Sequence, residues 1–338
     1  MAIPKSAYPP PFNVTRASHV VITSRDLAAA RAFYVDMLGL IVSDEDANTL
    51  YLRGLEEACH HSLVIRKSDE TVCERVGMRV YSEADLDAAF DTLSRRSISC
   101  CWLESPHQGK TLHFNDASGA QIELCARMDV KPRLVVAFDQ FRAGAPHRLD
   151  HFQILTPDVQ AAADFYTGIG FRLSEYVAVD GTDDLVFIFL QRKGNPHDIV
   201  FANGSGPRLH HFAYTVPDAS HIIQACDVAG RMGFSKNVEY GPGRHGPGHA
   251  LFVYFRDPDG HRVELFTTHY QCMDIENEPV RWDVSYLANR PWGFPPRERW
   301  YEEASLFSAV TPKRPATRAG PATLESMLST DPGYGQRK

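Results

Sequence analysis

The chain has 338 residues and a formal net charge of −7, from 35 Lys and Arg against 42 Asp and Glu. That length allows two hydrophobic cores, and the excess of acid argues against a nucleic-acid partner, which needs a basic face. No apolar run reaches bilayer length, which argues against a membrane partner, and residues 1–11 lack the apolar centre of a secretion signal.

The first predicted strand lies in Arg16–Leu27 and carries His19. Asp26 stands at the N-cap of an Ala-rich helix with Phe33-Tyr34 near its end and Gly39 as its stop. A second helix is expected at Glu83–Ser94, after Tyr81-Ser82. Asp116 and Gly119 then mark a turn before a strand carrying Glu123. The linker runs from Asp129 to Pro146, and after it the pattern repeats. His151 and Asp158 reproduce His19 and Asp26 at an offset of 132 residues, followed by Phe165-Tyr166 and Gly170. A helix is expected at Ala219–Met232. The turn at Asp257 and Gly260 then leads into a strand carrying Glu264.

The repeat predicts an α+β fold with two domains, residues 14–128 and 147–268, each built from two βαβββ-like units. Residues 269–308 are expected to pack near the site, and residues 309–338 to form a poorly ordered tail. The seven cysteines are odd in number and contain no C-x-x-C pair. They read as reduced residues of a cytoplasmic protein.

Three short apolar runs each contain one metal-ligand side chain: Leu149–Leu155 with His151, Leu209–Tyr214 with His211, and His261–Phe266 with Glu264. Two imidazoles and a carboxylate form a facial triad with three open positions, the arrangement of non-haem Fe(II) oxygenases. Strand alternation puts His151 with Gln153, His211 with Ala213, and Glu264 with Arg262 and Phe266. It sends His210 to the opposite face, away from a metal. The first repeat keeps His19 and Glu123 but offers Val76-Gly77-Met78 for His210-His211-Phe212. With two ligands and no third, His19 and Glu123 are expected to bind no iron, so the first half reads as a structural copy and the second as the working one.

With these residues, the run Gly241-Pro242-Gly243-Arg244-His245-Gly246, then Tyr254, then Asp257–Glu264, resembles the type I extradiol catechol dioxygenases of the vicinal oxygen chelate superfamily. Within them it is most similar to the homoprotocatechuate 2,3-dioxygenase branch. The resemblance covers residues 14 to about 305, including Trp282-Asp283-Val284 and Arg290-Pro291-Trp292-Gly293.

The resemblance implies paired βαβββ modules forming an open barrel around a central cavity in each domain. It also implies Fe(II), less often Mn(II), and a catechol substrate opened by O2 to a muconic semialdehyde. It implies a homo-oligomer, commonly a tetramer. His197 would be the acid–base residue, with His245 and Tyr254 bonding substrate oxygens. Gln153, Phe189, Tyr240 and Arg290 would line the substrate. The branch carries Asn, Trp and Arg where this chain has Gln153, Phe189 and Tyr240. One half of a two-Arg carboxylate clamp is thereby lost, so a different ring substituent is expected. Two alternatives share the superfamily: a glyoxalase-like metal-dependent lyase or isomerase, and a non-catalytic binding protein.

Overall fold

The computed structural model describes residues 3–285, 292–294 and 296–315. Four βαβββ units follow one another along the chain. The first is β1 (Val14–Ser24), α1 (Leu27–Arg31), β2 (Ile41–Glu45), β3 (Thr49–Arg53) and β4 (Leu63–Lys67). The second is β5 (Cys73–Val80), α2 (Glu83–Arg95), β6 (Cys100–Ser105), β7 (Gly109–Asn115) and β8 (Gln121–Cys125). The third is β9 (Arg148–Thr156), α3 (Val159–Gly168), β10 (Arg172–Ala178), β11 (Leu185–Gln191) and β12 (Ile199–Asn203). The fourth is β13 (Arg208–Thr215), α4 (Ala219–Arg231), β14 (Val238–Arg244), β15 (Leu251–Arg256) and β16 (Arg262–Thr267).

Two units make each sheet. The first sheet has eight strands in the order β2-β3-β4-β1-β5-β8-β7-β6. In the second, the order is β14-β15-β16-β13-β9-β12-β11-β10, extended beyond β10 by β17 (Val280–Asp283). The short β18 (Ser305–Leu306) pairs with β13.

Local chemistry sets the elements. Asp26 accepts from the backbone N–H of Ala28 and Ala29, Asp158 accepts from that of Ala161, and Ser82 caps α2. After α1 the helix widens into a π-turn over Ala32–Met37, which lets both Phe33 and Tyr34 point inward. Gly39 and Gly170 take φ of +94° and +97°, so glycine closes both helices.

Strands β11, β13 and β16 are buried almost throughout. One face packs on helices and the other looks into the barrel, so simple polar–apolar alternation is lost. The repeat also knits its halves together. Tyr34 donates to Asp257 (3.0 Å), and its counterpart Tyr166 donates to Asp116 (2.8 Å). Each helix is thus pinned to the Asp-x-x-Gly turn of the other sheet.

The tail expected at 309–338 lies outside the described residues from 316 onward. Before that point Lys313 pairs with Gly206. Among the described residues no helix is long and apolar enough to cross a membrane. All seven cysteines are free thiols.

Candidate metal centre

His151, His211 and Glu264 sit on three adjacent strands, β9, β13 and β16. Ala213 at the centre pairs with His151 on one side and with Glu264 on the other. The three side chains converge. Glu264 Oε2 lies 3.2 Å from His151 Nε2 and 3.3 Å from His211 Nε2. All three residues are buried, each 3% exposed or less.

The strands do not alternate strictly here. β9 and β13 are bulged at Asp150 and at His210, each beside a ligand. This corrects the expectation that His210 faces away. Its ring abuts that of His211, with the two Nδ1 atoms 2.8 Å apart. The bulges fix the tautomers. His210 Nε2 donates to the Trp300 carbonyl (2.7 Å), so its Nδ1 is a bare acceptor and His211 Nδ1 carries the proton. His151 Nδ1 donates to Asp150 Oδ2 (3.0 Å). Both ligands are therefore left with a bare Nε2 aimed at the same point as a carboxylate. A divalent cation fits that donor set.

The electrostatics agree. Burial opposes ionisation of Glu264, but the surrounding imidazoles of His151, His211 and His245 hold it well below the usual carboxylate range. Burial pushes His211 down to about 4, so it is a neutral ligand. Asp150 is held low despite burial, chiefly by the Lys193 ammonium.

The first sheet carries a filled version of this arrangement. Gly77 pairs with both His19 and Glu123, so it is the counterpart of Ala213, not of His211. Arg75 holds the counterpart position of His211. It pairs with Val21, two residues after His19, as His211 pairs with Gln153, two after His151. The alignment of Gly77 with His211 is thus corrected by two residues. Arg75 Nε donates to Glu123 Oε2 (2.5 Å), His19 Nε2 lies 2.9 Å from Oε1, and Gln108 donates to the same carboxylate. Cys125 lies close enough to make a ligand group with His19 and Glu123. Yet a guanidinium and a protonated imidazole already supply the positive charge. Burial opposes that proton, but Glu123 outweighs it and raises His19 to about 9.

The sequence profile of the Glyoxalase/Bleomycin resistance protein/Dioxygenase superfamily matches residues 16–124 and 148–265. An extradiol ring-cleaving dioxygenase from B. fuscum superposes with a TM-score of 0.88 at 34% identity, covering 96% of this chain and 92% of that one. Homoprotocatechuate 2,3-dioxygenase from Arthrobacter globiformis gives 0.86 at 36%, over 92% and 98%. A manganese-dependent 2,3-dihydroxybiphenyl 1,2-dioxygenase of Geobacillus genomosp. 3 is 26% identical over 294 residues, 81% of this chain and 91% of its own. The chain belongs to this superfamily, among its extradiol catechol dioxygenases.

In this extradiol dioxygenase, His197 is 5% exposed, and its ring stands edge-on to His151 at 4.3 Å between centroids. Its Nδ1 has no hydrogen-bond partner among the described residues. Burial, reinforced by His151, holds it well below the usual histidine range. Asp198 fixes the loop beneath it by accepting from the backbone N–H of Arg192 (2.6 Å) and Ala17 (2.8 Å).

On the other side, Tyr254 Oη lies 2.9 Å from His245 Nε2, and His245 Nε2 is 3.3 Å from Glu264 Oε1. Burial and Glu264 push the Tyr254 phenol well up, so it stays protonated. Phe189 lies 5.3 Å from the His197 ring. Gln153 is buried on β9 opposite His211. Tyr240 stacks on Tyr254 at 5.7 Å and 4°. Arg290 lies outside the described residues.

Sequence reasoning missed three side chains. His269 is buried, 4.7 Å from the His197 ring, with Nδ1 3.4 Å from Asn195 Nδ2. Asn195 in turn donates to Asp150 (2.9 Å). Trp300 packs edge-on to Tyr240, Tyr254 and His210. The one signal for this layer was the pairing of polar neighbours, Asp150-His151 and His210-His211, inside apolar strands.

Proposed function

We propose that this dioxygenase opens substituted catechols beside their two hydroxyls, inserting both atoms of O2 to give a muconic semialdehyde, at the site of His151, His211 and Glu264. The supporting observation is the convergence of two bare Nε2 atoms and one carboxylate, each imidazole oriented from behind by a bulge residue. Fe(II), or Mn(II) as in the Geobacillus relative's name, would be held there, lowering the pKa of catechol hydroxyls and bringing catechol and O2 together.

The chain's residues supply the rest. Neutral His197, buried over His151, accepts a hydroxyl proton at its imidazole and later returns it to oxygen. Tyr254 and His245 hold the substrate oxygens by hydrogen bonds. Phe189 and Gln153 wall the ring, and Tyr240 and Arg290 meet its substituent. With an aromatic ring at position 240, that substituent is neutral or weakly anchored. The catalytic unit is 147–268, the unit at 14–128 is structural, and the described part of the C-terminal segment, through His269 and Trp300, packs near the site. The enzyme works in the cytoplasm as a homo-oligomer, a tetramer. Neither the lyase or isomerase nor the binding-protein alternative gains support from relatives that are ring-cleaving dioxygenases.

The test is turnover of a catechol under 18O2 by the iron-loaded enzyme. Label in the carboxylate of a ring-opened product, with one O2 consumed per catechol, supports the reading. A ring-opened product with no label contradicts it.

A further inference from the structure

We propose that Asp44, His60 and His107 form a second divalent-metal site, of the zinc type, on the first domain. Their donor atoms lie within 4.8 Å of one another. Asp44 is on β2, His60 lies between β3 and β4, and His107 lies in the β6–β7 turn.

The tautomers follow from a chain of hydrogen bonds that starts inside the barrel. Glu123 is an acceptor, so the Gln108 amide nitrogen faces it and Gln108 Oε1 faces His61. His61 Nε2 then donates to Gln108 Oε1 (3.1 Å), which leaves His61 Nδ1 bare. His60 Nδ1 lies 3.1 Å from it and must carry the donated proton. His60 Nε2 is therefore a bare lone pair. It is buried with no hydrogen-bond partner among the described residues, in a residue only 1% exposed. Such an orphan acceptor calls for a ligand.

His107 is prepared in the same way. Its Nδ1 donates to Asp129 Oδ2 (2.9 Å), which leaves Nε2 bare, 3.8 Å from Asp44 Oδ2. The carboxylate–histidine pairing is the usual support behind a metal-bound imidazole. His107 also sits at φ +65°, held there by its carbonyl accepting from Asp129 N (2.8 Å). Tyr51 stands edge-on to both His60 and His107 and walls the site.

The two imidazoles stack at 3.7 Å and 6°. Parallel rings cannot aim two lone pairs at one ion, so binding requires the His107 ring to tilt out of the stack. At 27% side-chain exposure it has room to do so, and Asp44 at 55% closes from solvent. Lys131 opposes a cation here, but its ammonium is turned to the Ser43 carbonyl (3.1 Å). Two imidazoles, one carboxylate and a water suit Zn(II) or Co(II) better than Ca(II) or Mg(II).

The topology gives the site a role. β2 is one edge of the first sheet and β6 the other. The linker already crosses between them, with Asp129 N donating to His107 O (2.8 Å) in the β6–β7 turn and Lys131 Nζ donating to Ser43 O (3.1 Å) on β2. A metal held by Asp44, His60 and His107 would clip the two edges and close the open barrel.

The test uses the full chain carrying His211→Ala, which removes a ligand of the catalytic centre. Zn(II) is titrated by calorimetry and Co(II) by its visible absorption. One ion per chain is expected, with thermal unfolding shifted upward by Zn(II). His107→Asn, which tolerates the positive φ, and Asp44→Asn should each weaken Zn(II) binding at least tenfold. In the otherwise native chain, His107→Asn should leave ring cleavage intact, which shows that it folds. Absence of binding, or binding unchanged in both variants, overturns the site.

Discussion

Arg75 in the first sheet holds the register position that His211 holds in the second. A fixed cation stands where the working site has a neutral ligand. Its guanidinium reaches Glu123, the counterpart of Glu264, so the carboxylate is neutralised without a metal. The two halves share a backbone and differ in charge.

The catalytic iron should accordingly follow the second half. His211→Ala should abolish iron binding at the catalytic centre, and His19→Ala should leave it intact. His210→Ala keeps every ligand but removes the acceptor that orients His211. It should weaken iron affinity by about 10–100-fold, measured by competition with a chelator. Equal loss in the His211 and His19 variants would contradict the assignment.

His197→Phe should retain iron, since the ring lies beside His151 and is not one of the converging donors. Its chemical step should slow by about 10²–10⁴-fold, read by single-turnover kinetics. Unchanged turnover, or loss of iron, would remove His197 from the acid–base role.

The first barrel should show its buried charges in the pH dependence of stability. His19 rises from 6.5 to about 9 in the fold, against burial, because of Glu123. Arg75, His113, Gln108, His61 and Cys125 surround the pair. A raised pKa gives stabilisation that is complete below the unfolded value and lost as pH rises through the folded one. Stability should therefore fall between about pH 6.5 and 9, by on the order of a few kcal/mol. Glu123→Gln should flatten that slope in denaturant titrations. An identical slope in both proteins would show that His19 is not charged.

The fold was legible because it is repeated. Asp26 with Asp158, Gly39 with Gly170, and the two Asp-x-x-Gly turns each mark the same element twice. The three converging ligands were legible too, because a His or Glu inside an apolar strand is conspicuous. The layer behind them was hidden by the bulges at Asp150 and His210. A bulge adds one residue and turns the next side chain to the same side, so strict alternation sent His210 the wrong way. The same limit on register paired Gly77 with His211 by sequence order, where the sheet pairs Arg75.

Specificity should turn on Tyr240. Its ring packs between Phe252, Tyr254 and Trp300, where the branch it resembles carries an Arg. Catechols with neutral side chains should be preferred over 3,4-dihydroxyphenylacetate. Tyr240→Arg should raise kcat/KM for that acid about tenfold or more, as one charged hydrogen bond worth roughly 1.5–3 kcal/mol is regained. If the unaltered enzyme already prefers the acid over 4-methylcatechol, Tyr240 does not set the substituent.

The most direct measurement is aerobic incubation of the iron-loaded chain with a panel of substituted catechols, followed by absorbance and oxygen uptake. A ring opened beside the two hydroxyls gives a yellow semialdehyde, with one O2 consumed per catechol. The wild type should form that chromophore, and the chain carrying His211→Ala should form none under the same iron loading. A colourless wild type across the panel, or equal colour from both proteins, would contradict ring cleavage at the site of His151, His211 and Glu264.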